Sequence, residues 1–223
     1  MNNFKRITLF SGHYGSGKTN ISVNFALKIN EGGKDVTVYD MDIVNPYYRT
    51  LDAKSMLNSR GIRLVASAFA NSNVDLPAVS GESYAMLHDK SRYAVVDIGG
   101  DDRGALVLGR FSQEIKKENN FEFIYVLNSC RPETSSIAGA KEIFDEIEAV
   151  AGIKFTAICS NANLMEETTK EVVLEGYNFA KEFGKTVNLP VLFVAVEESL
   201  AKKENFENIN VLPIKLIKYL SFK

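Results

Sequence analysis

The 223-residue chain is short of the residues that build metal and disulfide frameworks: two cysteines, Cys130 and Cys159, and two histidines, His13 and His88. They form no C-x-x-C pair and no His/Cys cluster with zinc spacing, so neither a zinc site nor a disulfide scaffold is expected. Both cysteines read first as small residues in a reducing compartment. Long apolar runs are missing too. No stretch approaches the ~20 residues of a membrane span, and the first apolar run, Ile7 to Phe10, is too short for a signal-peptide core. The expectation is a soluble, cytoplasmic protein. An excess of one charge is also lacking: 26 Lys and Arg stand against 28 Asp and Glu. No global basic field points to non-specific nucleic-acid binding. Repeats, low-complexity tracts and linker-like stretches are absent, so residues 1–223 read as a single domain with enough apolar content (45%) for a substantial core.

What is present is Ser11-Gly12-His13-Tyr14-Gly15-Ser16-Gly17-Lys18-Thr19, which satisfies G-x-x-x-x-G-K-[ST] between an apolar run and a helical segment. Glycines at 12, 15 and 17 allow a tight turn whose N–H groups point inward, backed by the positive end of the next helix. Lys18 is placed to reach β- and γ-phosphate oxygens, and the Thr19 hydroxyl to ligate a bridging magnesium. Gly12, His13, Tyr14, Gly15, Ser16, Gly17, Lys18 and Thr19, with Asn20 after them, are the candidate nucleotide-binding residues.

Strand and helix patterns alternate along the rest of the chain. Strands are expected at Phe4 to Phe10, Asp35 to Asp40, Gly61 to Ala66, Tyr93 to Gly100, Phe121 to Leu127, Ile153 to Cys159 and Val191 to Val196. Helices are expected after the phosphate loop up to Gly32-Gly33, from Asp75 and Pro77 to about His88, from Gly104 to Lys117, from Pro132, up to Gly184, and from about Pro213. This order argues a three-layer α/β fold, with a mostly parallel sheet of about seven strands and helices on both faces. Ligands in such sheets bind beyond the carboxyl ends of the strands. The phosphate loop, Asp40 and Asp42, Asp97, Asn128, and Asn161 with Asn163 all follow strand ends, so one rim should collect them.

A magnesium held by a phosphate-loop hydroxyl usually has a second anchor, an acid at another strand end. Asp97, closing Ala94-Val95-Val96, suits that role, with a loop-capping acid as the plainer reading. Asp40-Met41-Asp42 adds two carboxylates suited to a metal-bound or attacking water, or simply to a turn.

The phosphate loop, the D-x-D followed by Asn45-Pro46, and the apolar strand ending in Asp97-Ile98-Gly99-Gly100 together resemble the MinD/ParA family of P-loop ATPases, the CobQ/CobB/MinD/ParA nucleotide-binding domains. The resemblance covers most of the chain in order. It implies ATP and Mg2+ as ligands, with Lys18 on phosphate and Thr19 on the metal. It also implies Asp42 orienting the attacking water, Asp40 and Asp97 supporting the metal, and neighbouring strands ending at Phe10 and Asp97. The D-x-D and Gly99-Gly100 segments would be nucleotide-sensing loops. Asn161 falls where relatives place a base-contacting asparagine, with Asn163 as competitor.

The departure is at His13. Relatives that sandwich two nucleotides in a homodimer usually carry a lysine there that reaches the partner's nucleotide, and an imidazole is shorter and only partly charged near neutral pH. Arg49 and Arg103 each follow an acid-bearing loop, where they either stabilise a transferring phosphate or pair with nearby aspartates. Ile214, Ile217 and Leu220 share a face of the C-terminal segment, which reads as a helix docked on the sheet rather than a membrane anchor.

The leading reading is a slowly hydrolysing ATP switch that dimerises or engages a protein partner. The competing readings are a small-molecule ligase or kinase of the same superfold, with an acceptor site in residues 58–83, or a metallocofactor-insertion ATPase, which would want paired surface cysteines. The Asn161-Ala162-Asn163-Leu164 loop lacks the acid of Asn-Lys-x-Asp, which favours adenine over guanine.

Overall fold

The computed structural model describes residues 4–41, 50–66, 81–100 and 102–216. Strand β1 (Ile7–Ser11) runs through the phosphate loop into helix α1 (Lys18–Glu31), followed by β2 (Val36–Met41), α2 (Thr50–Ser59) and β3 (Arg63–Ala66). Then come α3 (Gly81–His88), β4 (Tyr93–Ile98), α4 (Asp102–Gly109), α5 (Ser112–Glu118), β5 (Phe121–Leu127) and α6 (Ile137–Ala151). The described chain closes with β6 (Ala157–Ser160), α7 (Lys170–Val187), β7 (Val191–Glu197), α8 (Glu198–Lys203) and β8 (Val211–Ile214).

The strands form one eight-stranded sheet in the order β3-β2-β4-β1-β5-β6-β7-β8. Every pairing is parallel. The chain leaves β1 towards β2 and β3, returns at β4, and crosses β1 to continue outward from β5. That reversal puts β1 between β4 and β5, so the crevice at its carboxyl end is where this topology makes room for a ligand.

Apolar residues alternate along β1, which explains why both faces are covered. Ile7 and Leu9 join Phe123, Tyr125, Leu108, Phe111, Phe144 and Phe183 on one side. Phe10 joins Phe25, Val38, Leu57, Ile124 and Phe193 on the other. Phe10 and Phe25 meet edge to face at 5.2 Å, and Phe25 stacks on Phe193 at 5.7 Å. Rings at these separations add attraction beyond their burial. Helix α1 is thus anchored into the core from its apolar face, and its first turn is fixed relative to β1.

Several elements depart from the sequence expectations: no pattern announced α2 or α8, and β6 begins at Ala157 rather than Ile153. Pro213 lies inside β8, not at a helix start, in register with Val196 of β7. Because β8 is the sheet edge, its residue 213 needs no ladder donor on the outer side, and proline is tolerated there. The sheet therefore has eight strands rather than about seven, and Lys215 and Leu216 that follow are not helical. The expected 104–117 helix is two, broken at Arg110 and Phe111: Phe111 is fully buried and packs edge to face on Tyr84 at 5.0 Å. Pro132 opens a 3-10 turn (Pro132–Thr134), and α6 starts only after Ser136, whose side chain accepts from the Gly139 N–H. Gly184 does not end α7, which continues to Val187 with Asn188 in the left-handed conformation as its cap. The expected N-cap Asp75 with Pro77, and residues 217–223 of the C-terminal segment, lie outside the described residues.

Candidate functional site

The phosphate loop is shaped by close backbone approaches that only glycine permits. At Gly17, the N-cap of α1, φ is +94°, and a methyl group would lie 2.4 Å from Nδ2 of Asn161. A methyl at Gly12 would lie 2.4 Å from the Val126 carbonyl oxygen on β5. The loop is closed by a Ser16 N–H to His13 carbonyl bond of 3.1 Å, and α1 begins with Ile21 N–H donating to the Gly17 carbonyl. Lys18 is buried, and its Nζ donates to the carbonyls of Gly12 (3.0 Å) and His13 (3.1 Å), so the ammonium is drawn back over the loop.

The strands on either side of β1 bring the predicted acids alongside. Phe10 is in register with Asp97 on β4, and Asp97 with Asp40 on β2. The expected neighbourhood of the strands ending at Phe10 and Asp97 is therefore observed. Both carboxylates are nearly inaccessible, at 3% for Asp40 and 2% for Asp97. Beyond Asp97 the chain folds onto the phosphate loop: a methyl at Gly100 would lie 2.5 Å from the Gly12 carbonyl oxygen, 2.7 Å from Lys18 Nζ and 2.8 Å from the Tyr14 nitrogen. Asp42 and Arg49, and the side chain of Arg103, lie outside the described residues.

On the other side, the β5 and β6 ends are tied together and to the loop. The fully buried Asn128 accepts through Oδ1 from Cys130 N–H (3.0 Å) and Asn163 N–H (3.3 Å), joining the two strand ends. Asn161 donates from Nδ2 to the Ser16 carbonyl at 2.6 Å. That bond braces the phosphate loop, while Asn163 accepts the Met165 N–H at 2.7 Å. His13 is partly exposed, with Nδ1 3.9 Å from a Glu133 carboxylate oxygen. Tyr14, at the loop tip, is exposed.

These elements enclose a cavity of about 310 Å3, running from Gly15, Gly17, Thr19 and Asn20 past Asn128 and Asn161 to Asn163, Met165, Glu197 and Leu216. Two residues of its wall carried no sequence signal. Arg131 donates from Nε to the Gly15 carbonyl at 3.1 Å. Glu197, closing β7, accepts the Leu200 N–H at 3.3 Å and caps α8. Donation from the Ser199 hydroxyl holds its carboxyl below the usual range, so it stays ionised near neutral pH.

The donor set fits a polyphosphate with its metal. The turn is pared to glycine where a side chain would collide, a buried lysine stands over it, and the Ser16 hydroxyl is buried with no hydrogen-bond partner among the described residues. Thr19 opens the helix behind that loop, and Asp40 and Asp97 stand at adjacent strand ends. Among the described residues no group of three His, Cys, Asp or Glu side chains could hold a metal by itself. A cation here would depend on phosphate oxygens as well as on the protein.

No family model matches the chain, and no curated protein matches it in sequence. Solved structures do. The fold is that of a P-loop NTPase. The chain resembles the cell division protein FtsY of Thermotoga maritima with a TM-score of 0.58 at 17% identity over 86% of this chain and 62% of that one. It resembles chloroplast FtsY of Physcomitrella patens with a TM-score of 0.60 at 16% identity over 96% of this chain and 63% of the other. Signal recognition particle receptor FtsY of Elizabethkingia anophelis, crystallised in complex with GDP, matches at 0.55 and 17% over 87% of this chain and 58% of that one. The chain thus spans about 62% of the length of the first of these structures. At such identities the likeness establishes the fold. Among the described residues no helix is long and apolar enough to cross a membrane.

Proposed function

We propose that this chain binds a nucleoside triphosphate with Mg2+ at the phosphate loop and hydrolyses it slowly, as a nucleotide-dependent switch resembling MinD/ParA ATPases. The observation that carries this reading is the contact of Gly100 with the phosphate loop. The segment leaving β4 after Asp97 rests against the Gly12 carbonyl and Lys18 Nζ, so a γ-phosphate drawing Lys18 outward would release the surface on which Gly100 packs. In this reading the N–H groups of residues 15 to 19 and the ammonium of Lys18 bind phosphate, and Thr19 with Asp40 and Asp97 hold the metal. Asp42 orients the attacking water. The metal's chemistry is charge neutralisation between phosphate oxygens.

ATP is the proposed nucleotide, on the strength of the family resemblance and of a β6 loop without the guanine-pairing acid. FtsY of Elizabethkingia anophelis is crystallised with GDP, so guanosine nucleotides belong in the test. That test is phosphate release from Mg-ATP and Mg-GTP followed alongside light scattering, for the native chain, Asp42→Ala and His13→Lys. ATP turnover lost in Asp42→Ala, with a nucleotide-dependent change in mass, supports the switch. Nucleotide binding with no phosphate release until a small acceptor is added would instead identify a ligase or kinase.

A further inference from the structure

Arg131 lies on the phosphate loop without belonging to it. Its backbone is fixed by two hydrogen bonds at the end of β5, its own N–H to the Asn128 carbonyl (3.2 Å) and its carbonyl from Thr134 N–H (3.1 Å), and Thr134 Oγ1 closes the turn by donating to the same Asn128 carbonyl (2.6 Å). Pro132 follows and confines Arg131 to an extended backbone, observed at φ −93° and ψ 137°. From this base the side chain reaches back across the loop. Nε donates to the Gly15 carbonyl at 3.1 Å, and a methyl on Gly15 would sit 3.6 Å from Nε, 3.7 Å from Cζ and 3.8 Å from Nη2. The guanidinium therefore lies over Gly15 at the distance where an added methyl would just touch it.

A guanidinium has five N–H donors, and the Gly15 carbonyl takes one. Among the described residues Arg131 forms no ion pair, and the nearby Glu133 carboxylate faces His13 instead. The terminal nitrogens are thus available at the wall of the cavity that also contains Gly17, Thr19 and Asn20. Planar, forked and permanently charged, guanidinium suits phosphate oxygens better than any other side chain.

We propose that Arg131 is a phosphate-contacting cation supplied within the same chain, its terminal N–H groups binding the polyphosphate of the nucleotide while Nε stays on Gly15. This rests on the cavity being the nucleotide site proposed above. It also accounts for His13. A chain with a second cation of its own on the loop does not need a lysine from a partner to balance phosphate charge, so tight polyphosphate binding becomes a property of the monomer.

The experiment is equilibrium titration of the full chain with adenosine, AMP, Mg-ADP and Mg-ATP, and with the guanosine series, at two ionic strengths and two protein concentrations. Native protein, Arg131→Ala, Arg131→Lys and Lys18→Ala are compared. The expected result is that Arg131→Ala weakens di- and triphosphate binding about 10- to 100-fold, the worth of a lost charge-assisted contact, and changes nucleoside binding less than about twofold. Its affinity should also depend less steeply on salt than that of the native protein. Arg131→Lys should recover part of the loss, and tight di- and triphosphate binding by the native protein should persist at the lower protein concentration. Equal weakening of every ligand with an unchanged salt dependence would assign Arg131 to shaping Gly15 and overturn the proposal. So would native-like affinity in Arg131→Ala. Native protein that binds none of these ligands, indistinguishable from Lys18→Ala, would remove the nucleotide reading itself.

Discussion

Asn161 at the end of β6 donates its side-chain N–H to the Ser16 carbonyl at 2.6 Å, so a strand two places away from β1 holds the phosphate loop in shape. The same amide is what forbids a side chain at Gly17, whose methyl would meet it at 2.4 Å. Loop and brace are complementary, and each constrains the other.

Asn161→Ala therefore removes a buried donor and frees the Ser16 carbonyl, at a cost of about 1–2 kcal/mol. Mg-nucleotide affinity measured by titration should fall about tenfold. Asn161→Asp should be worse, because a carboxylate facing a carbonyl oxygen repels it. Native-like affinity in both would mean that the brace does not shape the site.

Gly100→Ala places a methyl within 2.8 Å of two backbone atoms of the phosphate loop and of Lys18 Nζ. One side must move, and nucleotide affinity should drop more than about tenfold. Gly33→Ala is the informative control. Its φ of +74° makes alanine strained by about 1 kcal/mol, but nothing lies within 4 Å of the added methyl. It should lower the unfolding midpoint and leave nucleotide binding unchanged.

Cys159 is fully buried on β6, and burial pushes its thiol well above the ordinary range, whereas Cys130 is partly exposed. At pH 8 a thiol reagent should label Cys130 in native protein and both residues after denaturation. The raised folded-state pKa also has a sign. Below about pH 8.5, the unfolded value, both states keep the proton and the stabilising contribution is fully present. Above it the unfolded chain ionises first, so stability should fall with rising pH, and Cys159→Ser or Cys159→Ala should flatten that fall.

The residues whose chemistry is obligatory were the ones legible from sequence. The G-x-x-x-x-G-K-[ST] loop, the apolar strand ending in Asp97 and the alternation of strand and helix specify a parallel sheet, and β1 beside β4 is observed in register from Ile7 to Phe10. Pro213 misled because its local preference for a helix start is real, and only the edge position of β8 makes a strand proline tolerable. Phe111 broke an expected helix because burying its ring outweighed continuing the turn. Arg131 was silent because nothing in Ser129-Cys130-Arg131-Pro132 announces that the side chain will cross to Gly15, a relationship between residues more than a hundred positions apart. Asn161 was identified for its place and not for its partner: the strand end was readable, whereas the carbonyl it serves depends on how closely β6 approaches the loop.

The central claim is that Lys18 and its loop bind a nucleoside triphosphate, and the most direct measurement is calorimetric titration of native protein and Lys18→Ala with Mg-ATP, Mg-GTP and the corresponding diphosphates. The account predicts saturable one-site binding by the native chain, tighter for the triphosphate than for the diphosphate, and a loss of at least about 100-fold in Lys18→Ala, in line with a charged hydrogen-bonding group removed from a buried site. Equal binding by the two proteins, or no binding of either triphosphate by the native chain, would contradict it.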